Sequence, residues 1–238
     1  MNLAPVKLRI VVVIQARMSS DRLPGKVLRL IKGKPLLGYL LERLKCCEAI
    51  DDIVLATSVG KEDDPLVNFA KESNISCCRG SLPDVAGRLL AAAEAADADC
   101  FVRISGDSPL LDNRLVDKAA KLFRTNPDCD LVTNVENRTY PKGQSVEIIS
   151  TKTMREIYIA GLNAFECEHV TPHFYTNSEK FRIINFENRT SDGEMQVSVD
   201  TEQDLEVFEK IINVLGEPFA NHDLRSIVDA ARKVQATK

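Results

Sequence analysis

The sequence predicts an α/β fold, a three-layer α/β/α sandwich on a mainly parallel sheet, with one inserted lobe. Short apolar runs rich in β-branched residues recur along its 238 residues. Stripes at helical spacing fill the intervals, and the alternation breaks once, between about 139 and 188. Apolar runs without polar alternation suit strands covered on both faces, as parallel strands are. Strand–helix alternation puts those covering layers on both sides of the sheet.

The first strand is read at residues 8–14, apolar except for Arg9. Leu36, Leu37, Leu40, Leu41 and Leu44 then repeat as one helix face. Residues 53–57 form the next strand. A helix carrying Leu66, Phe69 and Ala70 follows, with Asp64 as cap and Pro65 at its first position. Residues 84–96 read as an alanine-rich helix and 100–104 as a strand. Leu115, Val116, Ala119, Leu122 and Phe123 make another stripe, and 131–135 continue the strand series. The break holds a turn at 140–143, a strand at 146–149, a helix after Thr151 and a helical stretch near 168–176. A strand at 196–199 leads to Asp200, and Leu205, Phe208, Ile211, Ile212 and Leu215 mark a last helix. No repeat, low-complexity tract or flexible linker divides the chain, so it reads as a single domain over 1–238, with the lobe at 139–188.

Composition removes several classes of function. Hydrophobic residues at 44% and charged residues at 28% are ordinary for a globular protein. A formal net charge of −4 lacks the basic excess of a duplex binder, so nucleic acid is not expected as a partner. No apolar run approaches the ~18–20 residues that cross a bilayer, and the run at 8–14 is too short for a secretion signal. A cytoplasmic protein with no membrane partner is the expectation. The seven cysteines include two adjacent pairs and no C-x-x-C. They are expected to be apolar fillers in a reducing compartment rather than metal or redox groups.

In open α/β sheets, ligands bind beyond the carboxyl ends of the strands. The loop after the first strand runs Gln15-Ala16-Arg17-Met18-Ser19-Ser20-Asp21-Arg22-Leu23-Pro24-Gly25-Lys26. Arg17, Arg22 and Lys26 repel one another unless an anion neutralises them, and a triphosphate would do so. A Walker loop is excluded by Ser20 and Val27, which stand where its first glycine and its hydroxyl belong, and G-x-G-x-x-G is absent. Two further acids, Asp107 in a Gly-Asp-Ser-Pro turn and Asp200 after 196–199, follow expected strands and form a plausible magnesium pair. Asp112 and Asp204 read as helix caps, and His222 as a surface residue.

The segments Ile14-Gln15-Ala16-Arg17-Met18 and Arg22-Leu23-Pro24-Gly25-Lys26-Val27-Leu28 resemble the signature of the cytidylyltransferases, in the branch of the spore-coat polysaccharide type related to CMP-Kdo and CMP-sialic acid synthetases. The resemblance continues through Ala56-Thr57-Ser58, Glu62-Asp63-Asp64-Pro65, Arg79-Gly80-Ser81, residues 103–110, Tyr140-Pro141, Glu168-His169-Val170-Thr171-Pro172 and Val199-Asp200-Thr201. It implies a nucleotide-diphospho-sugar transferase-like fold and a homodimer. It also implies Mg2+-dependent transfer of CMP from CTP to a sugar, with release of pyrophosphate, for polysaccharide biosynthesis. The expected acceptor is an acidic 2-keto-3-deoxy sugar. On this resemblance Arg17, Lys26, Asp107 and Asp200 are catalytic, and Asp107 and Asp200 hold the metal. Gln15, Ala16, Arg17, Ser19, Ser20, Arg22, Lys26, Ser58, Arg79 and Arg103 are expected to bind the nucleotide. Tyr140, Gln144, Glu147 and His169 are candidates for the sugar pocket, and Arg88, on the helix at 84–96, is a further cation open to phosphate, base or a neighbouring acid. The chain departs from the family's usual pattern at Ser19-Ser20-Asp21, at Lys142 and Ser145, and at Met195-Gln196. A glycosyltransferase using a nucleotide-sugar is the competing enzyme class; its Asp-x-Asp would be Asp97-Ala98-Asp99, placed before a strand rather than after one. A nucleotide-binding module without catalysis is the third reading.

Overall fold

A computed structural model describes residues 8–236. The chain runs β1 (Ile10–Gln15), β2 (Leu30–Ile31), β3 (Lys34–Pro35), α1 (Leu36–Leu44), β4 (Asp52–Ser58), α2 (Asp64–Glu72), β5 (Ser76–Gly80), α3 (Val85–Ala95), β6 (Cys100–Ser105) and α4 (Asn113–Thr125). It continues through β7 (Leu131–Thr133), β8 (Glu147–Ser150), α5 (Thr151–Ala160), α6 (Ala164–His169), α7 (Pro172–Thr176), β9 (Ile183–Asn185), α8 (Glu202–Leu215) and α9 (Leu224–Ala236). Seven strands form one sheet in the order β5-β4-β1-β6-β8-β7-β9, and β2 pairs with β3 apart from it. β1 is parallel to both β4 and β6, and only β8 runs against its neighbours. The mainly parallel α/β/α architecture is therefore the one the alternation predicts.

β1 explains the unbroken apolar run. Ile10, Val12 and Ile14 pack toward α1 and α4, while Val11 and Val13 pack toward α3, α5 and α7. All five are fully buried, so neither face tolerates a polar residue. A third cluster joins α8 and α9 to Leu36 and Tyr39 of α1. Here Arg43 is fully buried, and it donates to the carbonyls of Leu111, Phe219 and His222 at 2.5, 3.0 and 2.5 Å.

Several expectations are corrected. Residues 196–199 form no strand: Gln196 makes an isolated bridge with Lys142, and the Val199 N–H donates to the Asp107 carbonyl at 2.9 Å. The helical stretch at 168–176 is two helices, because Val170 takes φ 70° and Pro172 starts α7. Asp63, not Asp64, holds the capping position of α2, and Asp64 is its first residue. The segment expected as a lobe contributes β8 and β9 to the main sheet and lays α5 and α7 on the core of its α3 face. β5 and α9 lie outside the expected elements. The first is an edge strand of half-exposed Ser, Cys and Arg, and the second shows its apolar face as Ile227, Val228, Ala230, Ala231 and Val234. Cys46 is exposed rather than a filler, and burial pushes the Cys100 thiol up to about 12.

Candidate functional site

At the carboxyl end of β1 and β6 lies a cleft of about 270 Å³. It brings together ten of the residues expected to act: Gln15, Ala16, Arg17, Ser20, Arg22, Lys26, Arg103, Asp107, His169 and Asp200. The loop after β1 forms one wall, and the two acids face it. Lys26 Nζ lies 3.0 Å from Asp107 Oδ2 and 2.9 Å from Asp200 Oδ1, and Arg22 Nη2 reaches the same Asp200 oxygen at 2.9 Å.

Local sequence explains how that loop is held. Gly25 adopts φ 72°, a left-handed conformation that favours glycine, and its N–H donates to the Met18 carbonyl, folding the loop back on itself. Leu23 and Val27 are buried on either side of the turn, so Lys26 is presented from a fixed base. Asp63 ties the loop to the sheet: its two carboxylate oxygens accept the Met18 N–H at 2.7 Å and the Ser58 N–H at 2.9 Å. Burial pushes this carboxyl up, but those donors outweigh it and hold it below the ordinary range. Its folded pKa is thus lower than its unfolded one. The stability it confers is present above the unfolded value and lost as pH falls through the folded one. Asp63→Ala is expected to cost about 2–4 kcal/mol by leaving two buried N–H groups without an acceptor. Urea unfolding at neutral pH checks this, and a loss under 1 kcal/mol would assign the loop's order to other contacts.

The acids are brought together by backbone. Asp107 follows β6 through Gly106, where an added Cβ would come within 3.0 Å of the Ala16 Cβ and 3.1 Å of the Gln15 carbonyl. A side chain at this position would therefore crowd the end of β1 and the residue after it. The Val199 N–H bond to the Asp107 carbonyl draws Asp200 alongside, and Asp204 accepts the Asp200 and Thr201 N–H groups at the start of α8. Asp204 and Asp112 cap helices as expected. Two carboxylates already sharing one cation are hard oxygen donors suited to magnesium, which takes its other ligands from phosphate and water. Among the described residues, no group of three or more His, Cys, Asp or Glu forms a closed metal cage.

The opposite wall is a hydrogen-bond chain whose direction is fixed by chemistry. Arg103 Nε donates to Gln15 Oε1 at 3.0 Å, and Arg103 Nη1 to Glu147 at 2.8 Å. Arginine has no acceptor, so Gln15 must turn its oxygen to Arg103, which directs its amide N–H groups away from the guanidinium. Glu147 also accepts from the Tyr175 hydroxyl at 2.7 Å, and Thr133 completes the chain 2.9 Å from Tyr175. Glu147, expected at the sugar pocket, is buried behind the cleft rather than lining it; its carboxylate offsets the Arg103 charge, so this wall is a weaker phosphate clamp than the loop opposite. Tyr175→Phe should raise the substrate KM about threefold to tenfold through a loosened Arg103, with an unchanged melting temperature. Unchanged steady-state kinetics would show that Glu147 holds Arg103 unaided.

The cleft does not gather every expected residue. Ser58 is buried below the loop, and Arg79 is spent on the Ser58 and Gly60 carbonyls and on Asp64. The Ser19 hydroxyl is buried without a partner but does not line the cleft. Tyr140 and Gln144, expected at a sugar pocket, belong to the interior instead. Tyr140 packs on Phe186, and Gln144 bonds the Leu110 carbonyl and the Asp112 N–H. His169 does reach the cleft and stacks on Phe165, whereas His173 turns to Glu166 at 2.9 Å because Val170 breaks the helix between them. His222, read as a surface residue, meets the Gly216 carbonyl with its ring. Val85, Arg88, Ser105 and Glu168 also line the cleft. Arg88 stands one turn into α3, a detectable signal, and its buried Nε has no partner.

Residues 11–230 match the cytidylyltransferase family. The spore coat polysaccharide biosynthesis protein SpsF of Bacillus subtilis is 29% identical over 216 residues, covering 87% of this chain and 88% of that protein. A solved cytidylyltransferase from Leptospira borgpetersenii superposes with a TM-score of 0.91 at 30% identity, covering 96% of each chain. A CMP:2-keto-3-deoxy-manno-octonic acid synthetase complexed with CTP has the same fold, with a TM-score of 0.66 at 19% identity and coverage of 86% of this chain and 98% of that one. No helix among the described residues is long and apolar enough to cross a membrane.

Proposed function

The chain belongs to the cytidylyltransferase family, and on that premise we propose that it transfers CMP from CTP to a sugar hydroxyl and releases pyrophosphate. The observation that carries this reading is the meeting of loop cations with the two acids: Lys26 Nζ bonds Asp107 and Asp200, and Arg22 reaches the same Asp200 oxygen. A triphosphate laid along Arg17, Arg22 and Lys26 puts its α-phosphorus beside Asp107 and Asp200. Magnesium held by those two carboxylates would supply charge neutralisation on the phosphates.

The chain's own residues do the rest. Arg22 and Lys26 take the charge of the departing pyrophosphate, and the donors of Gln15 and of the ion-paired Arg103 orient the planar or hydroxylated parts of the substrates. The sugar oxygen attacks the α-phosphorus as the bond to the β-phosphate oxygen breaks, with loss of the hydroxyl proton to water. Positioning and electrostatics account for the rate, and no covalent enzyme intermediate forms. An acidic 2-keto-3-deoxy sugar is the acceptor proposed, in keeping with the name of the synthetase of the same fold. Its carboxylate would face Arg88 and His169. A role in polysaccharide biosynthesis follows from the SpsF likeness, and a homodimer is the proposed assembly.

The glycosyltransferase alternative is disfavoured by position. Asp97 and Asp99 sit before β6, at the sheet edge opposite the cleft, and Asp99 is engaged by the Arg9 N–H. Pyrophosphate release over a panel of acidic and neutral sugars, with each nucleoside triphosphate and magnesium, tests the proposal. Release with CTP and one sugar class supports it. A thermal shift with CTP but no release under any combination would reduce the protein to a binder.

A further inference from the structure

The four charges at the centre of the cleft cancel. Asp107 and Asp200 bring two negative charges, and Lys26 and Arg22 bring two positive ones. The Lys26 side chain is 9% exposed and bonded to both acids, so its ammonium occupies the point where two carboxylate oxygens converge. A bare divalent cation would meet a neutral cluster and a buried like charge within a few ångströms, with little solvent to screen it. We propose that Lys26 keeps the place between Asp107 and Asp200 in the nucleotide-free protein, so that a divalent cation enters with the triphosphate as a metal–nucleotide complex and not ahead of it. This rests on the cytidylyl-transfer reading of the same cleft.

The exchange needs no backbone movement. Lysine carries its charge on a flexible four-carbon stem, and Lys26 stands on a base held by Gly25, Leu23 and Val27. The triphosphate offers the ammonium an anion richer than the two carboxylates. Arg22, with a side chain 64% exposed, can follow it to the phosphates. As both leave, the acids regain their two negative charges at the moment the metal arrives with the nucleotide. The site thereby discriminates against free divalent cations, which would otherwise occupy the acids in a form no nucleotide brought.

Mn2+ binding, read by loss of the free-ion electron paramagnetic resonance signal, tests this without turnover. Wild type and Lys26→Met are titrated with Mn2+ alone, then wild type with Mn2+ and α,β-methylene-CTP, the last read against the same Mn2+ and analogue without protein. Wild type alone is expected to bind at least tenfold more weakly than K26M alone, and the analogue is expected to recover that tenfold. Asp107→Asn in the K26M background should abolish the gain, which places it at these acids. Arg22→Gln, at an exposed side chain that the fold does not need, should strengthen Mn2+ binding about threefold and serves if K26M does not fold. Equal affinity of wild type and the charge-removed variants for Mn2+ alone overturns the inference and leaves cytidylyl transfer standing. Weak wild-type binding that the analogue does not improve overturns metal entry with the nucleotide, and the cytidylyl-transfer reading with it.

Discussion

Asp107→Asn is expected to lower CTP-dependent pyrophosphate release by about 10³-fold or more, with a melting temperature within about a degree of the wild type. The substitution keeps the side-chain volume and the Asp107 carbonyl that receives the Val199 N–H, so the backbone link between the two acids survives. What it removes is one of two negative charges facing the loop cations. Lys26 then rests on Asp200 alone, and a divalent ion has one carboxylate where it had two. Because the chemistry depends on charge placed beside the α-phosphate, kcat falls while the KM for CTP, set mainly by Arg17 and Arg22, changes little. Near-normal turnover by D107N would remove Asp107 from the reacting centre.

Arg43→Met is expected to cost about 3–5 kcal/mol of stability, lowering the melting temperature on the order of 10 °C. Arg43 is among the largest fully buried side chains, and its guanidinium lies over the Phe219 ring with the centroid 5.4 Å away. Its donors serve the Leu111, Phe219 and His222 carbonyls, which join α1 to the turn before α4 and to the stretch between α8 and α9. Asp112, 3.9 Å away, also accepts the Leu224 N–H at 2.7 Å and so starts α9. Methionine fills similar space but leaves the Leu111 and His222 carbonyls without this donor and the Phe219 carbonyl with only the His222 N–H at 3.5 Å. Since Arg43 does not line the cleft, CTP affinity of the folded fraction should be retained. Calorimetry showing a shift of only a degree or two would mean that water or neighbouring donors replace it.

The sheet and its covering helices are legible because β1, β4 and β6 each carry an apolar run buried on both faces, and because α1 and α4 carry apolar stripes at helical spacing. β5 and α9 were not, since an edge strand is only half buried and a helix packed late in the chain can use alanine and valine sparsely. At the site, the loop after β1 and Asp107 could be read from charge placed at strand ends. Burial of Tyr140 and Gln144 could not, because an aromatic and an amide after a turn look alike whether they face a sugar or close a core. Nor could the neutralisation of Arg103, because its partner Glu147 and the Tyr175 that holds Glu147 lie 44 and 72 residues further along the chain than Arg103. Asp200 was placed rightly for a wrong reason: it follows no strand, and a single N–H bond from Val199 to Asp107 does the work expected of sheet register.

A crystal structure with CTP and Mn2+, with the metal located by its anomalous signal, tests the central claim most directly. The expected result is one peak about 2.1 Å from carboxylate oxygens of both Asp107 and Asp200, bridging to the α-phosphate, with the β- and γ-phosphates on Arg17, Arg22 and a displaced Lys26. Phosphates seated on the Gln15–Arg103 wall, or a metal peak away from the two acids, would contradict it.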